Sequence, residues 1–154
     1  MKAEKNSKGN KMKIKIKVIE NGKMPKFQRK GDACADCYAR IANNTDHISI
    51  PTHSRCLVNL GFALELPEGY EAIIRPRSGL SSRYIDVCIG TIDSNYRGEV
   101  KACIVNNSEG SFDVRSGDRI CQLAIRKTED IVFEQVENLS ETNRGDNGFG
   151  SSGI

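Results

Sequence analysis

The order of side chains predicts an all-β barrel or sandwich, and three observations carry that prediction. Residues Lys13 to Val18 read KIKIKV, a strict alternation that suits a half-buried strand, because successive strand side chains point to opposite faces. Six further short runs rich in Val and Ile follow, with turn signals at close intervals between them. Helical spacing is confined to Gly79 to Tyr84, room for one short helix of one or two turns.

Taken in order, residues 1–11 are lysine-rich without an apolar period and are expected to form a disordered basic arm. The first strand pattern is followed by the turn signal Asn21-Gly22. His47–Ile50 and Arg55–Leu66 come after Asn43-Asn44, and Tyr70–Arg75 after Pro67-Glu68-Gly69. Val100–Val105 precedes the turn Asn107–Gly110, Ile120–Ile125 follows Ser116-Gly117-Asp118, and Ile131–Val136 closes the series. This division gives an arm at 1–11, a β domain at 12–139 and a flexible, glycine-rich segment at 140–154.

A length of 154 residues suits one core and leaves no room for two. With five Phe, four Tyr and no Trp, that core must rest on aliphatic side chains, and a thin core of this kind gains stability by oligomerising. No apolar run approaches the roughly 18 residues that span a bilayer, and the start lacks the apolar stretch of a secretory signal, so a cytoplasmic protein is expected. Residues 1–30 carry eleven Lys/Arg and two Glu, whereas the remainder carries 12 Lys/Arg against 18 Asp/Glu. The body is acidic, so its arginines call for local explanations and not for a nucleic-acid surface.

Cys34-x2-Cys37 followed by His53-x2-Cys56 has the ligand types of a tetrahedral zinc site. Both halves lie in or beside strand-like stretches, where alternation sends Cys34 and Cys37 to opposite faces. The alternative reading makes the six cysteines small buried hydrophobes in a reducing compartment.

Three segments carry chemistry. Pro76-Arg77-Ser78-Gly79-Leu80-Ser81-Ser82 leaves a strand and offers a guanidinium, hydroxyls and free N–H groups together, a fit for phosphate; read alone, it is an ordinary turn. Gly90-Thr91-Ile92-Asp93-Ser94-Asn95-Tyr96 brings a carboxylate able to orient a water close to a ring able to pack on a sugar or base; the plainer reading is a hairpin with a solvated Asp. Gly117-Asp118-Arg119-Ile120-Cys121-Gln122-Leu123 runs from a turn into a strand and supplies an amide, with an ordinary turn as the alternative. The terminal RGDNGFGSSGI adds Arg144, Phe149 and small residues.

These segments in this order, with ACADCYA at 33–39, closely resemble the trimeric dUTPase family across residues 13 to 154. All five family motifs have counterparts: ACADCYA, PRSGLSS, GTIDSNYRGEV, GDRICQL and RGDNGFGSSG. The resemblance implies a jelly-roll-like β-barrel assembling as a homotrimer, with shared active sites that hydrolyse dUTP to dUMP and pyrophosphate. It implies that Asp93 orients the attacking water and that Tyr96 packs on the deoxyribose and excludes a 2′-hydroxyl. Uracil would be read by the main chain of residues Val87 to Asp93, where Gly90 and Ile92 lie. Arg77, Ser78, Gly79 and Gln122 would hold the α- and β-phosphates. Arg144 would reach the γ-phosphate, Phe149 would stack on the base, and Gly150, Ser151 and Ser152 would bond the γ-phosphate end as the tail closes like a lid. Mg²⁺ would be held mainly by the triphosphate and water, with Asp36 touching its hydration shell.

The first motif departs from the family where Cys34, Ala35 and Cys37 replace the usual Gly, Tyr and Leu, while Asp36 and Tyr38 stay in register. The same likeness assigns the C-x2-C cysteines to positions filled elsewhere by small or apolar residues. Rival readings are a dCTP deaminase of the same fold, which in the family uses a glutamate at the base, and a dUTPase with an added regulatory, protein-binding role. A non-enzymatic trimeric scaffold ranks last, since it leaves Arg77, Asp93, Tyr96, Gln122 and Phe149 unexplained.

Overall fold

The structure is a computed structural model that describes residues 12–42 and 45–147. Its elements are β1 (Lys15–Val18), β2 (Ala35–Tyr38), β3 (His47–Ile50), β4 (Ser54–Asn59), β5 (Phe62–Glu65), β6 (Tyr70–Arg75), α1 (Ser78–Ser81), β7 (Ile85–Val87), β8 (Gly90–Ile92), β9 (Lys101–Asn106), β10 (Phe112–Arg115) and β11 (Arg119–Lys127). The fold is all-β with one short helical turn, as the alternation predicts. Every ladder is antiparallel, in the orders β1-β5, β10-β3, β2-β11-β6-β8 and β4-β9-β7.

The core is aliphatic. Ile50, Val58, Leu60, Phe62, Ile74, Ile85, Ile104, Val114 and Ile120 are fully buried, and Phe62 is the one aromatic ring among these largest buried side chains. Asn106 is a buried polar residue whose amide is fully used: it donates to Ile50 O (2.9 Å) and Gly110 O (2.8 Å), and its oxygen accepts from Ser108 N and Oγ. It thereby joins the end of β9 to the end of β3 and closes the expected 107–110 turn.

Three expectations need correction. Arg55–Leu66 is two strands, because Gly61 adopts φ +73° between them and packs backbone to backbone on Gly22, where a side chain would collide. Ile131–Val136 forms no strand with the described residues: the last ladder ends at Lys127, and Val132 and Phe133 are 92% and 93% exposed. The run is rich in Val and Ile as a strand would be, but among the described residues nothing pairs with it. Among the cysteines, Cys37 and Cys121 are the buried ones, facing each other across β2 and β11, while Cys88 is exposed. The bond to Cys121, reinforced by burial, pushes the Cys37 thiol far up, which keeps it protonated and inert. Cys37 and Cys121 thus match the reading of the cysteines as small buried hydrophobes, and the correction is that Cys88 does not.

A half-buried ion pair ties distant segments together. Arg40 donates from Nε and Nη2 to both oxygens of Glu99 (2.8 and 2.6 Å), and Glu99 also accepts from the Gly61 N–H (2.9 Å). The Arg40 bond, more than the Gly61 bond, holds the Glu99 carboxyl below its ordinary value of 4.5, while burial opposes it. The same bond raises Arg40. A carboxylate depressed on folding stabilises the fold above the unfolded value and loses that stabilisation as pH falls through the folded one. Glu99→Gln is therefore expected to cost about 2 kcal/mol at neutral pH. The variant should also lose less stability than the parent on acidification below about pH 4.5, checked by urea denaturation at fixed protein concentration.

Candidate active site

Asp36 is the anchor of the first half of the site. It lies in β2 with a side chain only 5% exposed, on the face opposite Ala35 and Cys37, which pack into the core. Gln122 of β11 stands directly across from it and donates from Nε2 to Oδ1 (3.0 Å). Arg77 brings Nε to 3.5 Å from the same oxygen, and Arg119 donates from Nη1 to Oδ2 (3.1 Å). Arg77 also donates from Nη1 to the Arg119 carbonyl (2.6 Å). A buried carboxylate is costly unless paired, and here three donors pair it.

Beyond Arg77 the chain turns into α1. The N–H groups of Leu80 and Ser81 both donate to Arg77 O, whereas those of Ser78 and Gly79 have no acceptor among the described residues. Both residues are exposed, and a Cβ on Gly79 would meet nothing within 4 Å. Asp36, Arg77, Ser78, Gly79 and Gln122 line one open cleft of ≈ 510 Å³. It combines cationic and amide donors with free N–H groups, the chemistry of an anion cradle.

The second half lies elsewhere. Asp93 follows β8, and the Tyr96 N–H donates to Asp93 O (3.1 Å), closing a tight turn. Tyr96 is 46% exposed; its hydroxyl donates to Glu99 O (3.2 Å), so the ring leans back across Gly98, where a Cβ would collide with it. Ile92, Asp93, Tyr96 and Glu99 line a cleft of ≈ 240 Å³. Glu99 is thus both the base of the ring and the partner of Arg40. Sequence reasoning missed Gly98, Glu99 and Arg40; the aromatic residue two positions before a glycine was a usable signal, but a pair 59 residues apart was not.

Gly90 opens β8. A Cβ there would reach only ordinary contact with Ile74, at 3.9 Å, so internal packing does not demand glycine. β7 pairs with β9 and β8 pairs with β6, so residues Val87 to Asp93 do not form one closed hairpin ladder. The two strands are edges of different sheets, which leaves main-chain polar groups between them for another partner.

The two halves do not meet within one chain. Gln122, beside Asp36, faces Arg75 of β6, while Ile92 faces Ala72, and β2 and β8 are the outer strands of the same sheet. Three strand spacings and three residues of rise separate them by on the order of 15–20 Å. The chain leaves β6 toward Arg77 at one end of the sheet and leaves β8 toward Asp93 at the other. Arg144 lies outside both clefts and donates from Nε to Asn147 O (3.0 Å) within its own turn. Phe149, Gly150, Ser151 and Ser152 lie outside the described residues.

Comparison with known proteins gives the arrangement a context. A family model described as dUTPase matches residues 20–153. The deoxyuridine 5'-triphosphate nucleotidohydrolase of Finegoldia magna is 43% identical over 145 residues, covering 92% of this chain and 99% of that protein. The protein of the same name from Orientia tsutsugamushi (strain Boryong) is 43% identical over 150 residues, covering 93% and 99%. Among solved structures, the Staphylococcus bacteriophage 80alpha dUTPase with dUPNHPP superposes with a TM-score of 0.83 at 27% identity, covering 92% of this chain and 99% of that one. The matched region takes in the β body and both half-sites alike: the chain belongs to the dUTPase family.

Proposed function

We propose that this protein hydrolyses dUTP to dUMP and pyrophosphate, as a homotrimer whose active sites are each shared between subunits. One observation carries the reading: Asp36, Arg77 and Gln122 share one cleft, Asp93 and Tyr96 share another, and Asp36 and Asp93 stand at opposite edges of one sheet. A second copy supplying Asp93 and Tyr96 to the cradle of the first makes one site from two halves. The exposed run at 131–136, with Ile131, Val132 and Phe133 unburied among the described residues, supports the same assembly, since a neighbour's sheet could cover it. The tail at 140–154 then closes as a lid, bringing Arg144 and Phe149 to the nucleotide.

In this reading Arg77, Gln122 and the N–H groups of Ser78 and Gly79 hold the phosphate oxygens. Asp93 orients a water for in-line attack on the α-phosphorus; the new P–O bond forms as the bond to the bridging oxygen breaks, and pyrophosphate leaves. Tyr96 lies along the deoxyribose and clashes with a 2′-hydroxyl. The main chain of β7 and β8 reads uracil, and cytosine presents the opposite donor and acceptor pattern, leaving buried groups unpaired.

Mg²⁺ fits this donor set through the substrate. Among the described residues no group of three His, Cys, Asp or Glu could hold a metal, and both Asp36 oxygens already accept from Arg or Gln donors. Asp36 would touch the ion only through its water, while the triphosphate supplies the direct ligands, as suits an ion that keeps several waters. Once bound, the ion withdraws charge from the α-phosphorus and the leaving pyrophosphate. No helix among the described residues is long and apolar enough to cross a membrane, and a substrate drawn from the nucleotide pool fits a cytoplasmic location.

Pyrophosphate release measured with dUTP, UTP, dTTP and dCTP in parallel should be fast for dUTP alone, and comparable rates on UTP would overturn the role given to Tyr96. Asp93→Ala is expected to lower kcat by about 1000-fold with the fold intact, a magnitude within the usual range for a lost acid-base group. Removing residues 144–154 should leave the molar mass of the assembly that of a trimer while abolishing most turnover, read by light scattering and the same assay; unchanged turnover would exclude the lid.

A further inference from the structure

We propose that Arg119 is a positioning residue for the reaction, resting on the dUTPase reading above: it touches no substrate but sets where Arg77 and Gln122 stand. Arg119 and Gln122 are three residues apart, so a regular β11 would aim them to opposite faces. The ladder with β2 contains a bulge: Gln122 faces Asp36 and Cys121 faces Cys37, but Arg119, and not Ile120, faces Tyr38. The extra residue is Ile120, which has no partner in the β2 register. The bulge therefore brings the Arg119 side chain round to the face of Asp36 and Gln122, a recognised use of bulges beside active sites.

Once there, Arg119 makes two contacts that together define the Arg77 guanidinium. Its Nη1 donates to Asp36 Oδ2 (3.1 Å), leaving Oδ1 for Gln122 (3.0 Å) and Arg77 (3.5 Å), while its own carbonyl accepts from Arg77 Nη1 (2.6 Å). Arg77 is thus held at two points, Asp36 and the Arg119 main chain. Without the Arg119 side chain, one oxygen of a carboxylate only 5% exposed loses its donor. The carboxylate then turns toward the Arg77 guanidinium, and the two phosphate-binding side chains that share Oδ1 move with it. Arg119 is itself 46% exposed at the side chain, so its truncation leaves no core cavity.

Arg119→Ala is expected to lower kcat/KM for dUTP by tenfold to a hundredfold, the scale on which a displacement of about 1 Å in a positioned group acts. The loss should fall on kcat at least as much as on KM, with melting temperature and trimer mass close to those of the parent. A rise in KM with kcat unchanged would make Arg119 an electrostatic attractor and overturn the inference, as would an unchanged kcat/KM. A cycle of Asp36→Asn, Arg119→Gln and the double variant supplies a control that folding defects do not mimic. The double variant should be no worse than the poorer single one, and additive losses would contradict the shared network. The parent enzyme separates the two readings: if it does not hydrolyse dUTP the function fails, whereas an active parent with an indifferent Arg119 sinks this inference alone.

Discussion

An antiparallel ladder fixes the distance between its own outer strands, and that constraint governs the rest of this molecule. In the sheet β2-β11-β6-β8 the register is set by the continuous pairing of β6 with both β11 and β8, so the Asp36 edge and the Asp93 edge cannot approach each other without unzipping it. An aliphatic core with Phe62 as its buried aromatic ring leaves no spare element to carry one half of the site across to the other. What a single chain can do is build each half well. The proposed phosphate cradle is held by a buried carboxylate that accepts two hydrogen bonds and pairs with Arg77, and the Asp93–Tyr96 turn is held by the Arg40–Glu99–Gly61 linkage, so each is held by contacts within the chain. Preorganisation of this kind is what electrostatic catalysis of phosphoryl transfer depends on, because donors already in place need not reorganise as charge develops.

The two halves are built differently. The proposed cradle is electrostatic: Asp36 neutralises part of the Arg77 and Arg119 charge, which lets two guanidiniums lie close together. The other half is steric and main-chain: Gly98 makes room for the Tyr96 ring, Gly90 leaves an open face unneeded by the protein's own packing, and β7 and β8 present unladdered edges. Charge recognition at one edge and shape recognition at the other match a ligand with a triphosphate at one end and a nucleoside at the other.

Much of the architecture was legible because alternation survives wherever one strand face is solvated. His47–Ile50 and Tyr70–Arg75 appear with the expected limits. β2 was less legible as a strand since Ala35, Asp36 and Cys37 are all buried, and β7 and β8 are too short to show a period. Ile131–Val136 is rich in Val and Ile but has no strand partner among the described residues, because composition alone does not say whether a pairing edge is available. Arg77, Asp93, Tyr96 and Gln122 were singled out from their motifs, and the resemblance implied shared sites, but motif order alone says nothing about which edge of a sheet a segment occupies, so the two clefts had to be seen in the structure. Arg119 escaped notice for a reason that can be stated physically: parity assigns it to the wrong face, and a one-residue bulge is not encoded in any pattern of apolar residues.

If catalysis needs halves from different copies, two inactive variants should complement each other. Asp93→Ala keeps an intact cradle and Gln122→Ala keeps an intact Asp93–Tyr96 turn. Each should be nearly inactive alone. Unfolded and refolded together in equal amounts, they should assemble at random into trimers in which about a quarter of all sites, pure and mixed trimers together, combine a good cradle with a good carboxylate, and dUTP turnover should recover in proportion. Mixed trimers that stay as inactive as the two parents would contradict the account, since they would mean that each chain completes its site by itself.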